Sequence, residues 1–188
     1  MANKNIKKFA VLDTETTWTD KVMSIGIVIA DAKTKKEIKS KYYIISPEYE
    51  SGGMFSNTLF DVPKSRIEIV SREEAIEGII ELLEEESVGT IFAYNASFDY
   101  RHLSELASYT WVDIMKIAAY KQYNSAITDD MECCLSGRLK RGYGVEQILN
   151  MLKPRYRETH NAYYDARDEL EIVERLGLGI EVYENAIL

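Results

Sequence analysis

The sequence predicts an α/β fold in which helices flank a mixed β-sheet. Three strand-like segments come first, and strand-like and helix-like segments alternate after them. The chain has 188 residues, of which 46% are hydrophobic and 29% charged, which is typical of one globular domain. With no internal repeat and no linker in the sequence, we expect a single domain over residues 1–188.

The first three strands are predicted at residues 9–15, 22–30 and 38–45. The second is almost wholly apolar, which favours a central strand covered on both faces. Ser24, Gly26 and Ala30 give one of its faces small side chains, so a helix could pack closely there. The charged stretch 31–37 predicts a hairpin turn. We therefore expect the sheet to begin with three antiparallel strands.

The rest of the chain predicts a loop, a fourth strand and a series of helices. Residues 46–66 lack periodicity and predict a long surface loop, and residues 90–94 predict the strand. Capping patterns mark two helices: Ser71 with Glu74 forms a capping box, and Asn161 precedes a segment that ends at Gly177. Asn95 is predicted to cap a further helix. The predicted helices cover residues 71–86, 96–108, 113–123, 145–152 and 161–176.

Composition excludes several classes of protein. The net charge of −8 disfavours a protein that coats duplex nucleic acid by neutralising phosphates alone. The two cysteines, Cys133 and Cys134, are adjacent and cannot form a disulfide framework, which indicates a reducing compartment. The longest apolar stretch, residues 25–30, is too short for a membrane span. Lys4 and the lysines near it precede no signal-peptide core. The sequence therefore predicts a cytoplasmic protein without a membrane partner.

Four carboxylates stand at the ends of predicted elements. Asp13 and Glu15 are two residues apart at the end of the first strand, so their side chains share a face at the sheet edge where α/β proteins bind ligands. Asp99 lies in the first turn of the helix after the fourth strand, and Asp165 in the first turns of the last helix. Each alone is commonplace, since an acidic residue at a helix N-terminus also complements the helix dipole.

Together these residues predict a metal-dependent site. Clustered carboxylates raise one another's pKa unless a cation offsets them. All-oxygen ligation suits Mg²⁺ or Mn²⁺, and two such ions about 3.5–4 Å apart clamp the attacking and leaving oxygens of a phosphodiester. His160 is expected on the loop before the last helix, where it can take a proton from the attacking water. His102 is expected to be a packing or surface residue. The chemistry that this set fits is phosphodiester hydrolysis.

Three motifs resemble those of the DEDDh group of 3′→5′ exonucleases. The segment Asp13-Thr14-Glu15-Thr16-Thr17 is similar to the first motif, Asn95-x-x-Phe98-Asp99 to the second, and His160-x-Ala162-x-x-Asp165 to the third. The first motif most resembles the epsilon-type proofreading subunits of DNA polymerase III, and the motif-bearing core covers about residues 9–176. The resemblance implies a ribonuclease H-like fold with a mixed five-stranded sheet whose first three strands are antiparallel.

The resemblance also implies roles for individual residues. The ligands of two Mg²⁺ or Mn²⁺ ions would be Asp13, Glu15, Asp99 and Asp165, with Asp13 bridging, and His160 would be the general base. Thr16 would face the terminal nucleotide, and Asn95 and Phe98 would shape its pocket. Trp18 replaces the glycine usual in the family, and it would either stack on a terminal base or plug the sheet edge. The family's His-Gly-Ile segment is absent from residues 46–66.

The basic residues that precede His160 indicate where the backbone of a nucleic-acid substrate would lie. Residues 116–157 carry eight Lys or Arg against four Asp or Glu, and Arg155 and Arg157 lead directly into His160. We expect them to border the bound strand, with plain surface charge as the alternative.

We expect a 3′→5′ exonuclease that acts on single-stranded 3′ ends, with DNA favoured over RNA. A short-RNA exoribonuclease is the alternative within this class. A general Mg²⁺ phosphatase and a non-catalytic adaptor that binds nucleic acid or a polymerase are alternatives outside it. Related exonucleases include homodimers and polymerase-bound subunits, so either partner is compatible with the sequence.

Overall fold

A computed structural model describes residues 6–188, and residues 1–5, which include Lys4, lie outside the described part. A mixed six-stranded sheet flanked by helices confirms the predicted α/β class. The strand order is β4-β3-β2-β1-β5-β6. The strands are β1 (Lys8–Thr16), β2 (Val22–Asp31), β3 (Glu37–Ile45), β4 (Ile67–Val70), β5 (Thr90–Ala93) and β6 (Thr110–Asp113).

The first three strands are antiparallel, as predicted, and the other pairings are parallel. The sheet has six strands rather than the expected five. The segments that sequence patterns did not locate are β4 and β6, which have four residues each and lie at the two edges. Four residues are too few to show an alternating pattern, and β5, which is equally short, was predicted because all of its positions are buried and its sequence is a mostly apolar run.

The helices are α1 (Arg72–Glu85), α2 (Ser97–His102), α3 (Met115–Ala118), α4 (Val145–Leu152) and α5 (Ala162–Leu176). The capping box of α1 and both ends of α5 are confirmed: the Asn161 side chain accepts a hydrogen bond from the Tyr163 amide, and Gly177 ends the helix at φ 65°. None of the helices among residues 6–188 is long and apolar enough to cross a bilayer.

Two predicted helices are wrong in extent. The one predicted over residues 96–108 ends at His102, because Leu103 leaves the helical region (φ −124°, ψ 55°). The one predicted over 113–123 is reduced to the single turn of α3, since Asp113 belongs to β6. The N-cap role of Asn95 is also wrong, because this residue has a φ of 58° and Ala96 precedes the helix instead.

Residues 46–66 contain three short 3-10 turns and no strand, as expected of a loop. The loop is not loosely attached, because Leu59 and Val62 are buried against Met23 and Tyr42 of the sheet. This packing holds the segment over the ends of β2 and β3, beside the start of α5.

The close approach of α5 to β2 depends on Gly26. A Cβ atom on Gly26 would lie 1.9 Å from the carbonyl oxygen of Ala162, the first residue of α5. Because no side chain stands there, the first turn of α5 lies directly on the sheet next to β1. The small-residue face predicted for β2 is therefore the one on which α5 packs, and α1 covers the opposite face through Ala75, Ile79 and Leu83.

Gly26→Ala is expected to destabilise the protein by about 1–3 kcal/mol or more, because the added methyl group displaces the backbone of α5. Urea unfolding followed by circular dichroism measures this change. Gly89→Ala is the matched control, since no other atom of residues 6–188 lies within 4 Å of the Cβ position there. Equal stability of the two variants would show that α5 does not depend on the Gly26 contact.

Candidate metal and catalytic site

Three of the four predicted carboxylates meet at the end of β1. Asp13 and Glu15 share a face of β1. In the neighbouring strand β2, Asp13 lies opposite Gly26 and Glu15 lies opposite Ser24. Because Gly26 admits the first turn of α5, Asp165 reaches the same place. Oxygens of Asp13, Glu15 and Asp165 lie within 4.8 Å of one another. The structure thus brings together residues that are about 150 positions apart in the sequence.

Asp99 lies beside this trio rather than inside it. It is 2% exposed on α2, and the Thr14 hydroxyl of β1 donates a hydrogen bond of 2.7 Å to its Oδ1. Burial raises the pKa of Asp99 to about 7, while the bond from Thr14 acts in the opposite direction. The charge of Asp99 in turn raises the pKa of Asp13 and of Glu15.

The electrostatics of the cluster require a positive charge or protons. Burial, followed by the charge of Glu158, raises the pKa of Glu15 to about 8. Burial, followed by the charge of Glu15, raises the pKa of Asp165 to about 8 as well. Asp165 is 4% exposed, and its Oδ1 has no hydrogen-bond partner among residues 6–188. A buried, unpaired acceptor surrounded by other carboxylates fits a site for hard divalent cations with oxygen ligands.

His160 lies on the loop before α5, as predicted. One of its ring nitrogens and oxygens of Glu158 and Asp165 lie within 4.8 Å of one another. The Nδ1 atom lies 3.9 Å from Glu158 Oε2, and the side chain is 43% exposed. The imidazole therefore stands at the solvent-facing side of the carboxylate cluster, where a water molecule can reach it.

Sequence reasoning missed two further acidic residues at the site. Glu169 is buried on α5, and its carboxylate accepts the amide proton of Tyr94 at 2.9 Å. Burial, followed by the charge of Asp99, raises its pKa well above the usual range. Its position four residues after Asp165 places it on the same helix face, and this spacing could have revealed it. Glu158 lies on an irregular loop, where no periodicity marks it.

The expected substrate contacts flank the carboxylates along the chain. Thr16 ends β1, and Trp18 follows in the turn to β2, where its side chain is 69% exposed and its amide donates to the Gly52 carbonyl oxygen. Asn95 is exposed, and its backbone N–H donates a hydrogen bond of 3.0 Å to Asp113 Oδ1. Phe98 is half-buried, with its ring centroid 4.3 Å from that of His102.

His102 is a packing residue, as expected. Its side chain is nearly buried, and its two ring nitrogens lie 2.8 Å from the Phe98 carbonyl oxygen and 3.0 Å from Asp20 Oδ1.

The two arginines before His160 are exposed, and neither forms an ion pair within the described part of the chain. Other basic side chains of this region form ion pairs. Lys153 pairs with Glu171, and Arg141 Nη2 lies 3.5 Å from Glu132 Oε2. Arg155 and Arg157 are thus available for a ligand at the loop that carries His160.

Solved structures of exonucleases share this fold. No family model matches the chain, and no curated protein matches it either. The nuclease domain of 3′hExo, a DEDDh family member bound to rAMP, aligns with a TM-score of 0.68 and 13% identity over 100% of this chain and 98% of its own. Exonuclease X in complex with 5′ overhanging duplex DNA aligns with a TM-score of 0.54 and 17% identity over 94% and 98%.

Exonuclease I of E. coli, in complex with a dA16 oligonucleotide, aligns with a TM-score of 0.61 and 13% identity. The match covers 95% of this chain and 42% of that protein. The chain shares the fold of these exonucleases. This likeness confirms the ribonuclease H-like architecture that the motifs implied.

The raised pKa values predict how the metal-free protein responds to pH. Folded Glu15 and Asp165 titrate near pH 8, whereas unfolded carboxylates titrate near pH 4. The folded state therefore binds more protons across this window, so the free energy of unfolding falls as the pH rises from about 5 to 8. Chemical denaturation in a chelating buffer measures the slope, and Mn²⁺ at pH 8 should restore stability.

Asp165→Asn is expected to reduce both the slope and the stabilisation by Mn²⁺. Asp61→Asn, at an exposed position, is the control and should change neither. A wild-type slope that Asp165→Asn leaves intact would contradict the clustering of these groups.

Proposed function

We propose that this chain is a divalent-metal-dependent 3′→5′ exonuclease of the DEDDh group. It hydrolyses phosphodiester bonds at the 3′ end of single-stranded nucleic acid and releases 5′-mononucleotides. The observation that carries this proposal is the trio Asp13, Glu15 and Asp165 at the end of β1, in a fold shared with 3′-exonucleases. Asp165 Oδ1 in this trio is buried without a hydrogen-bond partner in the described part of the chain.

Asp13, Glu15, Asp99 and Asp165 would hold two Mg²⁺ or Mn²⁺ ions. Bound there, the ions supply charge stabilisation for the attacking and leaving oxygens of the phosphodiester. The protein holds the four side chains in place with α5 on one side and the Thr14 hydroxyl on the other.

His160 is the proposed general base. Its Nδ1 atom is turned toward Glu158, which leaves Nε2 to accept the proton of the attacking water. Exposure of the ring supports this role, because a proton taken from the water must afterwards pass to solvent.

The proposed contacts to the substrate come from residues next to the carboxylates or to His160 in the sequence. Thr16 faces the terminal nucleotide, and Asn95 and Phe98 shape its pocket. The exposed ring of Trp18 offers a stacking surface for a base, and such stacking tolerates any sequence. Arg155 and Arg157 contact phosphates of the strand.

DNA is the proposed substrate, because the first motif most resembles proofreading subunits. RNA is the second candidate, and the neighbour with rAMP bound, 3′hExo, favours it.

A 5′-labelled oligonucleotide tests the proposal. With Mg²⁺ or Mn²⁺ we expect stepwise shortening from the 3′ end, and with EDTA or in Asp13→Asn we expect none, because the cations and their central ligand are lost. His160→Ala should lower turnover by roughly 10²–10⁴-fold. Matched DNA and RNA strands reveal the preferred substrate. Binding of the oligonucleotide without shortening under any condition would support an adaptor instead of a nuclease.

Charge reversal of Arg155 or Arg157 is expected to weaken substrate binding and to flatten its dependence on salt. Each lost phosphate contact should reduce the slope of log K against log [salt] by about 0.7 for a single strand. Fluorescence anisotropy with Ca²⁺ in place of Mg²⁺ measures binding. Lys121→Glu serves as the control, since Lys121 is paired with Asp129. Unchanged affinity and slope would place the strand elsewhere.

A further inference from the structure

The loop of residues 46–66 reaches the imidazole of His160. The ring of Phe55 stacks on this imidazole with centroids 4.2 Å apart and an interplanar angle of 14°. Phe55 is half-buried and directly precedes the 3-10 turn Ser56–Thr58. A segment without a motif of its own thus touches the proposed general base.

The same turn holds the backbone of the loop before α5. The Thr58 hydroxyl donates to the carbonyl oxygen of His160, and the Thr58 carbonyl oxygen accepts a hydrogen bond of 2.8 Å from Asn161 Nδ2. His160 has a φ of 56°, a conformation that L residues keep only when their surroundings enforce it. The hydrogen bonds of Thr58 provide this restraint at the two residues that lead into α5.

Little else fixes the direction of the imidazole. Neither ring nitrogen of His160 forms a hydrogen bond with any of residues 6–188, and the nearest carboxylate oxygen, Glu158 Oε2, is 3.9 Å from Nδ1. With 43% of the side chain exposed, the ring has room to change rotamer. The stacked face of Phe55 is therefore the contact that selects one orientation.

We propose that Phe55 is a positioning residue that orients the imidazole of His160 toward the attacking water. This inference rests on the proposed function, in which His160 is the general base. A phenyl ring suits the task because it covers one face of the imidazole without binding either nitrogen, so it does not compete for the proton. Aromatic stacking of this kind favours the stacked rotamer by about 2- to 10-fold, and small errors in the position of a catalytic group lower turnover strongly.

Histidine side-chain NMR tests the contact directly, since the chain has only two histidines. The ring protons of His160 should resonate upfield because they lie over the Phe55 ring. Phe55→Leu should move them downfield while the His102 signals, which report on packing against Phe98, stay in place. Phe60→Leu is the matched control: Phe60 is in the same loop but packs edge-on against Tyr49. No movement of the His160 signals in Phe55→Leu would overturn the proposal.

Kinetics test the consequence. Phe55→Leu should lower kcat by about 3- to 30-fold with KM changed less than twofold. Phe55→Tyr should keep kcat near the wild-type value, because it retains a ring that can stack on the imidazole. In a His160→Ala background, Phe55→Leu should have no further effect on kcat. A rise in KM alone would overturn the proposal and assign Phe55 to substrate contact, and additive losses of kcat would overturn it as well.

The two proposals fail in different ways. If His160→Ala leaves turnover unchanged, the general-base assignment fails and the role of Phe55 in turnover fails with it, although the NMR shift can persist. If His160→Ala lowers turnover but Phe55→Leu does not, only the positioning role fails. Circular dichroism of each variant before the measurements excludes a loss of fold as the cause.

Discussion

Burial of carboxylates, together with their mutual repulsion, dominates the electrostatics at the end of β1. Asp13, Glu15 and Asp165 crowd within 4.8 Å, and Asp99 and Glu169 lie buried beside them. Burial raises the pKa of every member, so an empty cluster holds protons at neutral pH or destabilises the fold. A site of this kind is maintained at a cost in stability, which functional sites frequently incur.

The scaffold keeps the cluster together with contacts that carry no charge. Gly26 allows the backbone of α5 to lie against β2, the Thr14 hydroxyl holds Asp99, and the amide of Tyr94 holds Glu169. The two hydrogen bonds each hold one carboxylate without neutralising it, and the Gly26 contact sets the position of the helix that carries Asp165. A lysine or arginine in the same places would neutralise the acids permanently and remove their affinity for cations.

Local signals in the sequence were sufficient for the long elements and for the motif residues. The capping box of α1, the Asn161 cap and Gly177 predicted helix ends, and the period-two spacing of Asp13 and Glu15 predicted their common face. The strands β4 and β6 escaped prediction, and the helix predicted over residues 96–108 was drawn too long, because four to six residues carry no reliable periodicity. Glu158 and Phe55 escaped for another reason, since both lie on irregular loops without periodicity. Only tertiary packing brings Phe55 to His160, and only the fold brings Glu158 beside Glu15 and Asp165.

The charge of the site also determines the order in which ligands can bind. The proposed substrate is a polyanion, and the cluster that would receive its scissile phosphate contains Asp13, Glu15 and Asp165 with Asp99 buried beside them, in a chain with a net charge of −8. Arg155 and Arg157 are exposed on the loop before His160, where water and salt screen their charge, so they cannot offset a buried cluster. Divalent cations must therefore offset this negative charge before a phosphodiester can approach the carboxylates. In this protein the same ions that would supply the chemistry would also be the condition for productive binding, whereas the arginines would attract only the more distant phosphates.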